Sequence, residues 1–97
     1  MRTTLEKDYV VIGGGTSGCL LASRLAGDPT LENGVLLVEA GGDIEDDLDN
    51  LIPGLTKTKF GSESGNWLYS TVPQKELNER TILYPRGLGM GGCSYGP

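Results

Sequence analysis

Ninety-seven residues make one small domain or a piece of one, with room for only a modest core. Thirteen acids against eight bases give a formal charge of -5, which excludes a surface built to neutralise nucleic-acid phosphates. With no histidine, and two cysteines (Cys19 and Cys93) at no metal-ligand spacing, zinc chemistry and every imidazole-based catalytic arrangement are excluded within the chain.

Residues 9–13, YVVIG, are a short β-branched run bounded by glycine and predict a first strand buried on both faces. A helix is expected over 16–26, TSGCLLASRLA, with Thr16 or Ser17 as cap and Leu20, Leu21, Ala22 and Leu25 on its apolar face. GDPTLENG has turn chemistry, and VLLVEAG from Val35 to Gly41 predicts a second strand. Strand, helix and strand define a right-handed parallel βαβ unit over about 8–42, so the fold class is α/β and Rossmann-like. Residues 43–49 hold five acids, Asp43, Glu45, Asp46, Asp47 and Asp49, and read as a solvated loop. From Pro53 to Gly65 the chain reads as irregular with at most a short helix, and Trp67–Val72 and Thr81–Tyr84 as short strands. No apolar run approaches the ~20 residues of a membrane span. The opening MRTTLEKD has no signal-peptide core, so a cytoplasmic protein is expected.

Sixteen glycines far exceed the roughly 7% of average usage, and they concentrate in two loops. In VVIGGGTSG, Gly13, Gly15 and Gly18 stand in the G-x-G-x-x-G register, directly after a strand and opening a helix. Gly13 allows the tight turn, Gly15 lets a pyrophosphate approach the backbone, and Gly18 lets helix and strand pack closely. The helix start, with Thr16 and Ser17, offers free N–H groups to an anion. Glu39 lies 21 residues beyond Gly18 at the end of the second strand, where an acid accepts the ribose hydroxyls of a dinucleotide and repels a 2′-phosphate. The first loop therefore predicts FAD or NAD rather than NADP.

The second loop closes the chain in YPRGLGMGGCSYGP. Gly13–Gly18, the EAGG of Glu39–Gly42, the W-x-Y-x-T-x-P-Q of Trp67–Gln74 and the glycine-rich Pro85–Ser94 occur in an order and spacing that resemble the N-terminal, FAD-binding region of the glucose-methanol-choline (GMC) oxidoreductases. The likeness runs from about Asp8 to Ser94. It implies a flavoenzyme in which the first loop binds the ADP part of FAD and the second, residues 85–94, passes beside the diphosphate and flavin. Gly91 and Gly92 would then lie against the cofactor, where a Cβ has no room, with Cys93 and Ser94 offering small polar contacts. Arg86 is placed to support the loop or to face a phosphate. Trp67 and Tyr69 read as packing residues in the first place and as stacking partners in the second.

The sequence departs from the family pattern after Ser94, where Tyr95, Gly96 and Pro97 stand in place of the usual A-x-N, proline replacing the expected asparagine. Met90 and Cys93 stand where leucine and serine are commoner. This ending suggests a truncated reading frame or a deliberately cut chain. The resemblance further implies that a complete protein oxidises a small-molecule alcohol, passing its proton to a downstream histidine and its hydride to flavin. No catalytic or metal-binding residue is expected in these residues, so the chain alone is expected to be inactive. Two classes stay open: a segment of an FAD-dependent oxidoreductase, and a non-catalytic dinucleotide-binding remnant. An NAD-dependent dehydrogenase is a weaker third, because the Pro85–Ser94 motif has no role in it.

Overall fold

The structure is a computed structural model and describes residues 3–42 and 51–94, so the acidic stretch 43–49 and the altered ending Tyr95–Pro97 lie outside the described residues. β1 (Tyr9–Ile12) and β2 (Val35–Val38) pair in parallel, with Tyr9 opposite Val35 and Ile12 opposite Val38. Between them runs α1 (Thr16–Ala26), completing the expected βαβ unit. Asp8 sets the register from outside the strands: its Oδ2 accepts the N–H groups of Asn33 and Gly34 at 2.7 and 2.8 Å, turning the chain into β2. At the other end Gly13 N–H continues the ladder to the Val38 carbonyl at 2.7 Å. α1 ends at Gly27, and Asp28 N–H returns to Leu25 O at 2.9 Å.

Residues Pro53–Lys59 form a 3-10 helix, with proline at its start where a missing N–H does no harm. Two strands follow, β3 (Tyr69–Ser70) and β4 (Leu83–Tyr84), antiparallel and joined through a short 3-10 turn at Lys75–Leu77. Both are shorter than expected. Leu68 adopts a left-handed φ of 51°, which interrupts the run from Trp67, while Pro73 and Pro85 can donate nothing to a ladder. Isolated bridges, Gln74 with Arg80 and Asn66 with Gly87, extend the pairing on either side.

The strands are not buried on both faces as their apolar runs suggest. Val10 is 56% and Ile12 86% exposed, and Leu20 and Leu21 on α1 are also exposed. Among the described residues Ala22, at 9%, is the one buried hydrophobic side chain. The pairs β1·β2 and β3·β4 form separate two-stranded sheets, and the first has α1 alone to pack on it. A radius of gyration of 17.2 Å exceeds the about 12.5 Å of a compact chain this long. So little apolar burial cannot offset the ordering entropy of a glycine-rich chain. Heating the chain without ligand is expected to give a broad, weakly cooperative loss of circular dichroism. A sharp melt above ~65 °C, beyond the usual mesophile range, would show that the fold is self-sufficient.

Candidate functional site

The carboxyl ends of β1 and β2, the start of α1 and the second glycine loop close on one cleft of about 470 Å³. Gly13 and Gly15 form one wall, Val38, Glu39 and Ala40 a second, and Trp67, Gly87, Gly89 and Gly92 a third. A cleft at the carboxyl edge of parallel strands is where an open α/β sheet binds its ligand.

The first loop is shaped by close approach. A Cβ at Gly18 would overlap the Gly13 carbonyl oxygen and come within 3.1 Å of its carbon, so glycine alone lets α1 sit this close to β1. At Gly15 a Cβ would meet nothing within 4 Å, since it would point into open space. Gly15, not Thr16 or Ser17, is the N-cap, and no side chain caps the helix. The hydroxyl of Thr16 instead hydrogen-bonds that of Ser94, tying the helix start to the second loop. The first N–H groups of α1 therefore have neither an intrahelical partner nor a side-chain cap.

Glu39 joins the loops. Its Oε2 accepts Gly14 N–H at 2.6 Å and its Oε1 accepts Gly41 N–H at 2.9 Å. These bonds, Gly41's first and Gly14's second, hold the carboxyl below the usual glutamate range against a smaller opposing effect of desolvation. Gly14 is the hub that the sequence reading passes over. It is buried, its N–H is held by Glu39, and its carbonyl accepts Gly91 N–H at 2.7 Å and the Cys19 thiol at 2.9 Å. Three consecutive glycines, where the fingerprint requires two, were the available signal. Gly41 is equally constrained, because a Cβ there would stand 2.5 Å from the Leu88 carbonyl carbon.

The second loop lies on the first. A Cβ at Gly92, whose φ is 54°, would come 3.0 Å from Gly15 Cα, so what it meets in the protein is the first loop. Gly92→Ala is thus expected to loosen the contact between the loops before any ligand is added, as well as to weaken ligand binding. Faster hydrogen exchange at Gly91 N–H would report it, and unchanged exchange would contradict it. Cys93 is exposed and reaches back along its own loop, its Sγ accepting Gly87 N–H at 3.2 Å. Arg86 supports the loop: its guanidinium lies 3.7 Å from the Tyr84 ring centroid and donates to the Pro85 carbonyl at 2.8 Å. Trp67 and Tyr69 are not core packing residues. They stack on each other at 5.7 Å, both a little under half exposed, and Trp67 reaches the cleft.

Of the residues expected to bind a cofactor, Gly13, Gly15, Glu39 and Gly92 line the cleft. Gly18 packs behind it, Thr16, Gly91 and Ser94 hold the two loops together, and Cys93 closes the second loop on itself. No group of three or more metal-ligating side chains occurs among the described residues.

No protein-family model matches the chain. Individual proteins do. It is 40% identical over 87 residues to an alcohol dehydrogenase [acceptor] of Pseudomonas putida, covering 90% of this chain and 15% of that protein. Against a pyranose dehydrogenase of Agaricus campestris it is 42% identical over 90 residues, 93% of this chain and 15% of the relative. The chain belongs to the GMC oxidoreductase family. It spans about 15% of the length of these curated relatives and matches their N-terminal region. The crystal structure of pyridoxine 4-oxidase from Mesorbium loti superposes with a TM-score of 0.80 at 38% identity, over 90% of this chain and 16% of that one. A formate oxidase of Aspergillus oryzae, studied for modification of its FAD, superposes with a TM-score of 0.74 at 33% identity, over 93% of this chain and 16% of that one. The GMC fold thus begins here as a partial Rossmann-like α/β unit.

Proposed function

We propose that residues 1–97 are the first part of the FAD-binding domain of a GMC-type oxidoreductase that oxidises an alcohol or sugar, and that they hold the ADP end of FAD. One observation carries the reading: two glycine loops far apart in sequence and a strand-end carboxylate meet around a single cleft. The residues fit the group. Gly15 leaves open space where a diphosphate needs backbone contact, and the uncapped start of α1, with Thr16 and Ser17, presents N–H groups and a positive dipole end to it.

Glu39 keeps lone pairs on both oxygens beyond those used for Gly14 and Gly41, and these accept the ribose hydroxyls. The second loop, with Gly91, Gly92, Cys93 and Ser94, closes over the diphosphate on its way to the flavin. When bound, FAD supplies the acceptor for the hydride leaving the substrate carbon. The chain binds and orients that cofactor, and with no histidine in its sequence it holds no imidazole to take the alcohol proton.

Titration of the purified chain with FAD is expected to yield a complex with flavin absorption bands and a sharper melt. At a hundredfold excess over Kd the added stability is about 2.7 kcal/mol. Binding of NAD in place of FAD would point to a dehydrogenase of another class. If neither binds, the cleft does not hold a dinucleotide in the chain alone.

A further inference from the structure

Among the described residues there is almost no apolar core, yet one polar side chain is nearly fully buried. Asn66 is 4% exposed. Its Oδ1 accepts two N–H groups, Leu68 at 3.0 Å and Arg86 at 3.1 Å, while its Nδ2 donates to the Phe60 carbonyl at 3.5 Å. The bond to Leu68 spans two residues and closes a turn on Asn66's own side chain, which holds Leu68 at its left-handed φ of 51°. The bond to Arg86 reaches across to the start of the second glycine loop.

Main-chain bonds complete the clamp: Trp67 N–H to Arg86 O at 3.0 Å, and Leu88 N–H to Gly65 O at 2.8 Å. Trp67, inside the turn from Asn66 to Leu68, and Gly87, next to Arg86, both line the cleft.

We infer that Asn66 is a positioning residue of the cofactor cleft. Its amide oxygen fixes the Trp67 ring and the Gly87 backbone as one wall, so that the second glycine loop is registered against the first. The inference rests on the FAD reading for its ligand, but the positioning itself is a property of the chain alone. Two geometric requirements single out the side chain. It must be short enough to close a turn onto the N–H two residues on, and its oxygen must accept two bonds at once. Asparagine and aspartate satisfy both, although aspartate turns an oxygen and not an N–H toward the Phe60 carbonyl. Glutamine carries the same groups one methylene too far out, and leucine has no acceptor and leaves two N–H groups without their partner.

Trp67 is the chain's one tryptophan, so its signals read the wall directly. The experiment compares the full chain with Asn66→Asp, Asn66→Leu and Asn66→Gln, using tryptophan near-ultraviolet circular dichroism without ligand and quenching of Trp67 emission by FAD. Asn66→Asp, whose oxygen still accepts both N–H groups, is expected to keep the wild-type near-ultraviolet band and extent of quenching at saturation, with an FAD affinity between those of wild type and Asn66→Leu because a buried carboxylate loses the bond to Phe60. Asn66→Leu should lose the band and quench less at saturation, with affinity lower by on the order of tenfold, the scale of one lost buried hydrogen bond.

The far-ultraviolet signal of α1, which Asn66 does not touch, is the control for folding. If Asn66→Leu loses that too, Asn66→Gln carries the comparison and should behave as leucine does. A near-ultraviolet band that survives in Asn66→Gln or Asn66→Leu would overturn the inference, as would its absence from wild type or from Asn66→Asp. A wild type that shows the band but is not quenched by FAD would instead count against the FAD reading, leaving the positioning role to stand on the ligand-free comparison.

Discussion

Gly18→Ala is expected to abolish FAD binding and to lower the helical signal of the ligand-free chain. The new Cβ would fall on the Gly13 carbonyl oxygen, with Val11 Cγ1 a further 3.6 Å contact behind it. The opposing atom is backbone and Gly13 N–H is itself bonded to Val38, so relief requires α1 to move away from the β1–β2 pair. Overpacking usually costs about 1–3 kcal/mol, and a chain whose buried apolar surface is this small has little reserve.

Gly15→Ala provides the contrast. Its φ of -74° suits any residue, and its Cβ would meet nothing, so the ligand-free spectrum should be unchanged. Its FAD affinity should nevertheless fall, because the open space it would fill is where the diphosphate is proposed to lie. Circular dichroism and FAD titration of both variants decide this. Gly18→Ala binding FAD within about threefold of wild type, under 1 kcal/mol, would show that the close approach is not required. Gly15→Ala binding as wild type would place the diphosphate elsewhere.

Much of this was legible in the sequence because the first loop combines a steric requirement with a periodic one. YVVIG and VLLVEAG have the run lengths of strands, and Gly18 occupies a position where the helix and the end of the first strand nearly touch. Burial was not legible. The apolar runs report a strand meant to be covered on both faces, whereas these strands have α1 against them and little else, leaving Ile12 and Val10 exposed.

The second half was harder to read for a local reason. Leucine gives no sign that it will take a positive φ, and only Asn66, reaching both Leu68 and Arg86, makes that conformation tenable. Sequence pattern places Trp67 in a strand; the asparagine beside it places Trp67 at the cleft. Gly14 was missed because the fingerprint treats its position as variable, while its peptide group is where Glu39, Cys19 and Gly91 converge.

Glu39→Ala is expected to weaken FAD binding roughly 10- to 150-fold, the equivalent of about 1.5–3 kcal/mol for hydrogen bonds to a charged acceptor. Two roles contribute, and Glu39→Gln separates them. As a ribose acceptor, an amide replaces a carboxylate tolerably, since its oxygen accepts and its nitrogen can donate to a hydroxyl. As the tie between the loops it fails: Gly14 and Gly41 both offer N–H groups, and one end of the amide must turn its own N–H groups toward them. Glu39→Gln close to Glu39→Ala in affinity would therefore assign most of the effect to loop organisation, and Glu39→Gln close to wild type would reduce Glu39 to a ribose contact.

The same bonds set a pH dependence. Because they lower the folded-state pKa of Glu39, its contribution is fully present above the unfolded-state value. It is lost as pH falls from about 4.3 through the lower folded-state value, when the protonated carboxyl can no longer accept an N–H group on each of its oxygens. Exchange at Gly14 N–H, corrected for its intrinsic pH dependence, should lose protection over that acid range in the wild type. In Glu39→Gln protection should be low throughout and should show no such step. A wild type whose corrected Gly14 protection stays flat from neutral pH down through that range would mean that Glu39 does not hold the loop.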